Sequence, residues 1–178
     1  MNNWSGKKLV TVVLSIIILG VVLDQVTKFY FESIKSGLPI YLFGDVGFVW
    51  RENYGGAWSI LSGKSVTFFI ITLLGLPLFA FLLYLARKKS TVGIVGFSMA
   101  ISGTLGNAAD RLFRGEEFYS GAVRDFLSVG NWFPVFNVAD SCLTVGVALV
   151  ILAMIFFDDD AIVAKRKKRP ENGASSDE

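Results

Sequence analysis

Asp125 and Asp140 are the two residues of this 178-residue chain whose types and setting point most directly to chemistry. Each stands in a short polar motif, Val123-Arg124-Asp125-Phe126 and Phe136-Asn137-Val138-Ala139-Asp140-Ser141, in a chain that elsewhere reads as apolar membrane helix. A carboxylate at the mouth of such a helix is expensive to keep, so two of them suggest a pair used for acid–base work. The chain contains no histidine, which removes Ser–His and Cys–His catalysis and every histidine metal site. Its single cysteine, Cys142, reads as a small core residue. The formal net charge of +2 carries no nucleic-acid signal. The chemistry is therefore left to carboxylates, hydroxyls, amides, Lys and Arg. Asp158-Asp159-Asp160 reads as a solvated acidic run rather than a metal site.

Four apolar spans must position these groups. The chain is 53% apolar with positive mean hydropathy, as in a membrane protein with one compact body. The spans fall at about 9–31, 66–85, 92–112 and 138–157, each near the length of the hydrocarbon core. Asp24 and Lys28 lie four apart in the first, so they share a face. They read either as a snorkelling interfacial pair or as part of the site. Residues 32–64 are punctuated by glycines and hold two strand-like runs, Ile40–Phe43 and Phe48–Trp50, expected to form a small β-structure on the membrane surface. Asn53-Tyr54-Gly55-Gly56-Ala57-Trp58-Ser59 follows; its glycines allow a turn or a close backbone approach.

Gly75 and Pro77 predict a kink in the second span. The third span carries two rows of small and polar residues, Ser98, Ser102, Gly106, Asp110 and Met99, Gly103, Asn107, Arg111, which allow close helix packing in lipid. Asp110 and Arg111 read as an ion pair, or Arg111 holds a substrate carbonyl or the site's backbone. Gly115–Gly121 reads as a loop or short surface helix, and Trp132-Phe133-Pro134 as an interfacial aromatic loop. Asn137 with Asp140 three residues on matches a helix N-cap with an acid at N3. Ten of the 17 Lys and Arg sit in three clusters, at 7–8, 87–89 and 165–169, all on one side of a four-span protein. The positive-inside rule then puts both termini in the cytoplasm and the polar residues of all the spans near the outer leaflet. Residues 1–164 form one membrane domain, and 165–178 a basic, then acidic, disordered tail.

Taken together, the motifs resemble the lipoprotein signal peptidase (signal peptidase II) family of bacterial inner-membrane aspartic peptidases. They are Asp24-Gln25-x-Thr27-Lys28, Asn53-x-Gly55-x-Ala57-Trp58-Ser59, Gly103-x-x-Gly106-Asn107-x-x-Asp110-Arg111, Asp125-Phe126 and Phe136-Asn137-x-Ala139-Asp140-Ser141. Asp140-Ser141-Cys142 is unlike the Asp-Thr/Ser-Gly of pepsin-like enzymes, and no presenilin-type Gly-x-Gly-Asp occurs. The resemblance implies four transmembrane helices with a small extracytoplasmic β-structure. It also implies a metal- and cofactor-free monomer that cleaves prolipoproteins N-terminal to a diacylglyceryl-modified cysteine. Asp125 and Asp140 would be the catalytic pair. Asp24, Lys28, Asn53, Gly55, Gly103, Asn107, Asp110, Arg111, Asn137 and Ala139 would line or support the site. Membrane lipids and the cyclic peptide inhibitor globomycin are the other implied partners. The chain departs from the pattern in a longer 113–124 link and in Arg124, a cation expected to lower the pKa of Asp125. A small transporter or channel using intramembrane carboxylates, and a non-catalytic scaffold, remain the alternatives at this stage.

Overall fold

A computed structural model describes residues 4–55 and 65–157. It has four long helices, α1 (Gly6–Ser33), α2 (Ser65–Ala86), α3 (Thr91–Phe113) and α4 (Val138–Leu152), the last continuing as a π-helical turn, Ala153–Phe157. All four are long and apolar enough to cross a membrane. Gly56 to Ser59, Asp158 to Asp160 and the 165–178 tail lie outside the described residues. Helix α2 runs through Pro77.

Helix α3 is the hub, because it alone is small-sided enough for neighbours to approach closely. It packs against all three other spans and is the only one largely buried within the protein. A Cβ added at Gly96 would meet Gly146 O of α4 at 2.7 Å, and one at Gly106 would meet Asp24 Oδ2 of α1 at 2.6 Å. A Cβ added at Gly103 would likewise meet Ala139 O and, at 2.8 Å, Leu143 N of α4. Such contacts replace the hydrophobic effect, which drives little helix association in lipid.

The β-structure has one strand more than expected. Antiparallel β1 (Ile40–Phe43) and β2 (Val46–Asn53) form the expected hairpin, and β3 (Val123–Val129) pairs with β2 to give the order β1-β2-β3. Strand β3 carries Asp125. Its first four residues are all buried, so it lacks the in–out alternation that marks a half-exposed strand. Phe31 of α1 stacks on Phe126 at 4.3 Å and meets Phe48 at 4.7 Å, which seats the sheet on the C-terminal end of α1. After the aromatic loop the chain returns along β3: Phe126 N and Leu127 N both donate to Phe136 O, and Phe136 N donates to Leu127 O. The start of α4 is thereby delivered beside Asp125.

Candidate active site

The turn from Phe136 into α4 decides the geometry. Asn137 caps the helix: its Oδ1 accepts from Asp140 N at 2.9 Å, and Asp140 Oδ2 accepts from Asn137 N at 3.2 Å. This reciprocal capping box contributes about 1 kcal/mol. With its oxygen used on the helix, Asn137 has its Nδ2 free to donate to Asp125 Oδ1 at 2.6 Å. One residue thus holds both carboxylates, and the expected N-cap pattern is also what brings Asp140 to Asp125.

The other two amides are oriented by the same logic. Asn53 Oδ1 accepts from Gly55 N at 2.9 Å, so its Nδ2 faces Asp125 Oδ2, also at 2.9 Å. Asn107 Oδ1 accepts from Lys28 Nζ at 2.9 Å and from Asn137 Nδ2 at 3.1 Å, so its Nδ2 faces Asp140 Oδ1 at 2.7 Å. Each oxygen of Asp125 and Asp140 therefore receives a neutral N–H. None has a direct ion pair among the described residues. Burial and the neighbouring charge of Asp140 push the pKa of Asp125 up to about 7, against the opposing hydrogen bonds from Asn53 and Asn137.

Arg124 does not act as the adjacent position suggests. Successive strand residues point to opposite faces, and Arg124 turns away from Asp125 to Asp110, Glu32 and Gln25. The expected lowering of the Asp125 pKa is therefore replaced by a rise. Asp110 also pairs differently from expectation. Its carboxylate meets Lys28 Nζ at 3.3 Å and Arg124 Nη2 at 2.7 Å, with no ion pair to Arg111. Arg111 instead donates to Gly55 O at 2.9 Å, with its guanidinium over Phe68, which matches the other reading, that it holds the site's backbone.

Asp24 and Lys28 form a 2.9 Å pair and are fully buried, so the pair is not snorkelling. Asp24 Oδ1 accepts from Ala139 N at 2.9 Å, placing a carboxylate on the unsatisfied N–H groups at the start of α4, where the helix dipole favours an anion. Gly103 and Gly106 touch no carboxyl of the Asp125–Asp140 pair; they set how near α3 lies to α4 and α1. Two site-supporting residues were not among those expected to line the site, although Gln25 stands within the Asp24-Gln25-x-Thr27-Lys28 motif. Gln25 bonds Asp24, Gly106 O and Asp110 and accepts from Arg124, and Glu32 pairs with Arg124 and Arg114. Their partners lie up to 99 residues away, as for Gln25 and Arg124, beyond any local pattern.

Comparison with known proteins gives one answer. Residues 16–156 match the family model described as signal peptidase (SPase) II. A protein named lipoprotein signal peptidase from Staphylococcus carnosus (strain TM300) is 37% identical over 156 residues, covering 83% of this chain and 92% of its own length. One of the same name from Staphylococcus aureus (strain JH9) is 37% identical over 144 residues, covering 76% and 82%. Two solved structures described as a bacterial membrane enzyme superpose with TM-scores of 0.67 and 0.65. The first is 31% identical and covers 93% of this chain and 95% of its own; the second is 33% identical and covers 82% and 94%.

Proposed function

The chain belongs to the signal peptidase II family, and on that premise we propose how it removes signal peptides from prolipoproteins. It is a multi-pass membrane peptidase of the aspartic type. The reading of its site is that Asp125 and Asp140 form the catalytic pair. The observation that carries this is that Asn137 holds both carboxylates, Asp125 buried and Asp140 half-buried, each among amide donors with no direct ion pair among the described residues.

Two such groups hold one proton between them. Asp140 lies in the first turn of α4, at the positive end of its dipole, and is the better place for the charge; Asp125 keeps the proton. Asp140 takes a proton from water, and the hydroxide oxygen bonds to the scissile carbonyl carbon. The proton of Asp125 passes to the carbonyl oxygen, giving a neutral tetrahedral diol. Asp140 then gives its proton to the leaving nitrogen as the C–N bond breaks, and a diol hydroxyl returns a proton to Asp125. The three asparagines hold the carboxylates in line throughout, without a change of partner.

On this reading the substrate's apolar signal helix lies among the spans. Cleavage falls N-terminal to its diacylglyceryl-modified cysteine, whose acyl chains extend into surrounding lipid. The termini face the cytoplasm and the site lies at the outer leaflet, which the three basic clusters support. One chain carries both aspartates, so a monomer suffices, and globomycin would compete for the same site. The test is cleavage of a diacylglyceryl-modified prolipoprotein in detergent, with chelator present. Wild type should cleave, while Asp125→Ala and Asp140→Ala should each lose at least ~10³-fold in kcat and stay folded. Activity retained in either variant rejects the pair.

A further inference from the structure

Arg124 is bound at every polar atom it has. Its backbone N donates to Asp110 Oδ2 at 3.0 Å, its Nε to the same oxygen at 3.3 Å, and its Nη2 to Asp110 Oδ1 at 2.7 Å. Nη1 reaches Glu32 at 3.1 Å and Nη2 reaches Gln25 Oε1 at 2.9 Å. Its carbonyl accepts at 3.4 Å from Asn137 Nδ2, the same group that holds Asp125. The guanidinium lies over the Phe29 ring, and the side chain is 2% exposed. Nothing in this arrangement touches the space in front of the two carboxylates.

We propose that Arg124 is a positioning residue for the peptidase reaction. It clamps the back of β3 to α3 and α1, so that Asp125, the next residue, meets Asp140 at a set separation. The proposal rests on the catalytic reading of Asp125 and Asp140 given above. Only a guanidinium can serve, because it presents separate donors to Asp110, Glu32 and Gln25 in one rigid plane. A lysine would satisfy one of them at a time. The clamp also completes a charge balance: Asp24, Asp110 and Glu32 face Lys28, Arg124 and Arg114. Without Arg124, Asp110 keeps the Gln25 amide and a single cation, Lys28, which it shares with Asp24.

Asp125 would feel that loss. Around it stand Lys28 of α1, Arg51 and Asn53 of β2, Arg111 of α3, and Asn137 and Asp140 at the start of α4. Removing one positive charge from behind the strand disfavours the Asp125 anion.

The experiment uses the full chain in detergent, with wild type, R124Q and R124K. Two quantities are read on each: kcat and KM for a lipidated prolipoprotein, and the pH midpoint for labelling of Asp125 by a hydrophobic carbodiimide, followed by mass spectrometry. R124Q should lose about ten- to a hundredfold in kcat with KM within about twofold, since misplacement rather than binding is at fault. Its labelling midpoint should move to higher pH, and R124K, which keeps the charge, should fall between in kcat. Wild-type kcat and midpoint in R124Q, even with a lower melting temperature, would overturn the proposal by reducing Arg124 to a stabilising residue. If R124Q does not fold, R124K decides: a wild-type kcat there overturns the clamp, and a reduced kcat with KM unchanged supports it. If wild type itself fails to cleave, the peptidase reading falls, while a wild-type kcat and an unmoved midpoint in R124Q are what would sink the clamp.

Discussion

The two faces of β3 bury carboxylates in opposite ways. On the Arg124 face, Asp24, Asp110 and Glu32 are met by Lys28, Arg114 and Arg124, and each acid has a cation within salt-bridge distance. On the Asp125 face, Asp125 and Asp140 are met by Asn53, Asn107 and Asn137. A carboxylate paired with a cation is locked in its charged form and has no proton to give. One surrounded by neutral donors is held just as firmly in space, yet its charge is left to compete with its neighbour's. Burial alone therefore does not mark a reactive acid. The partner's charge does. Arg124 feels both influences: burial opposes its charge, and Asp110 and Glu32 more than offset this.

If this contrast is right, the two faces should break differently. The largest effect on stability belongs to the ion-paired face. Asp110→Ala leaves Arg124 and Lys28 short of a buried partner and should cost about 3–5 kcal/mol, read as a large fall in melting temperature in detergent. Asp140→Ala should stay folded, losing activity and at most the about 1 kcal/mol of the capping box. Equal melting temperatures for the two variants would erase the distinction.

Asn137 sharpens the comparison, since it caps a helix and holds both carboxylates. Asn137→Ala should lose about 1 kcal/mol of stability together with about a hundredfold in kcat. Asn137→Ser keeps an oxygen for Asp140 N but has no amide for Asp125. It should recover most of the stability and little of the activity; joint recovery would mean that capping was its whole role.

The pH dependence follows from Asp125. Its pKa of about 7 against an ordinary 3.8 means that the folded protein holds a proton the unfolded chain has lost between those values. Stability from this group is therefore present at low pH and falls as pH rises towards about 7. Activity should fall above about 7 as the pair loses its last proton, measured as kcat/KM against pH. A rate that stays flat to pH 9 or beyond would place the proton elsewhere. The smallest effect is expected deep in the span. Ser102 Oγ has no hydrogen-bond partner among buried side-chain atoms of the described residues. Ser102→Ala should be neutral or stabilise by up to about 1 kcal/mol, with kcat unchanged.

How much of this could be read from the chain alone depended on distance along it. The spans were legible because apolar length is a local property, and their expected limits fall within about three residues of the observed ones. The Asn137–Asp140 cap was legible for the same reason. Strand β3 was not, because Arg124 and Asp125 look polar and exposed until their partners are known, and those partners come from α1, α3 and α4. The Asp110–Arg111 pairing failed for a related reason. Neighbours on a helix diverge in direction, and Arg124, 14 residues on, reaches Asp110 from across a chain reversal. Resemblance to a family identified Asp125 and Asp140, but it offered nothing for Arg124, where this chain departs from the pattern.

The contact between Asp24 and Ala139 N joins the first span to the start of the last. A ribosome-bound chain that has inserted only three spans has Asp125 but lacks Asn137, Asp140 and the helix that Asp24 caps. On the proposed reading of Asp125 and Asp140, such an intermediate lacks half of its catalytic pair, and the protease comes into being in the same event that completes its own insertion.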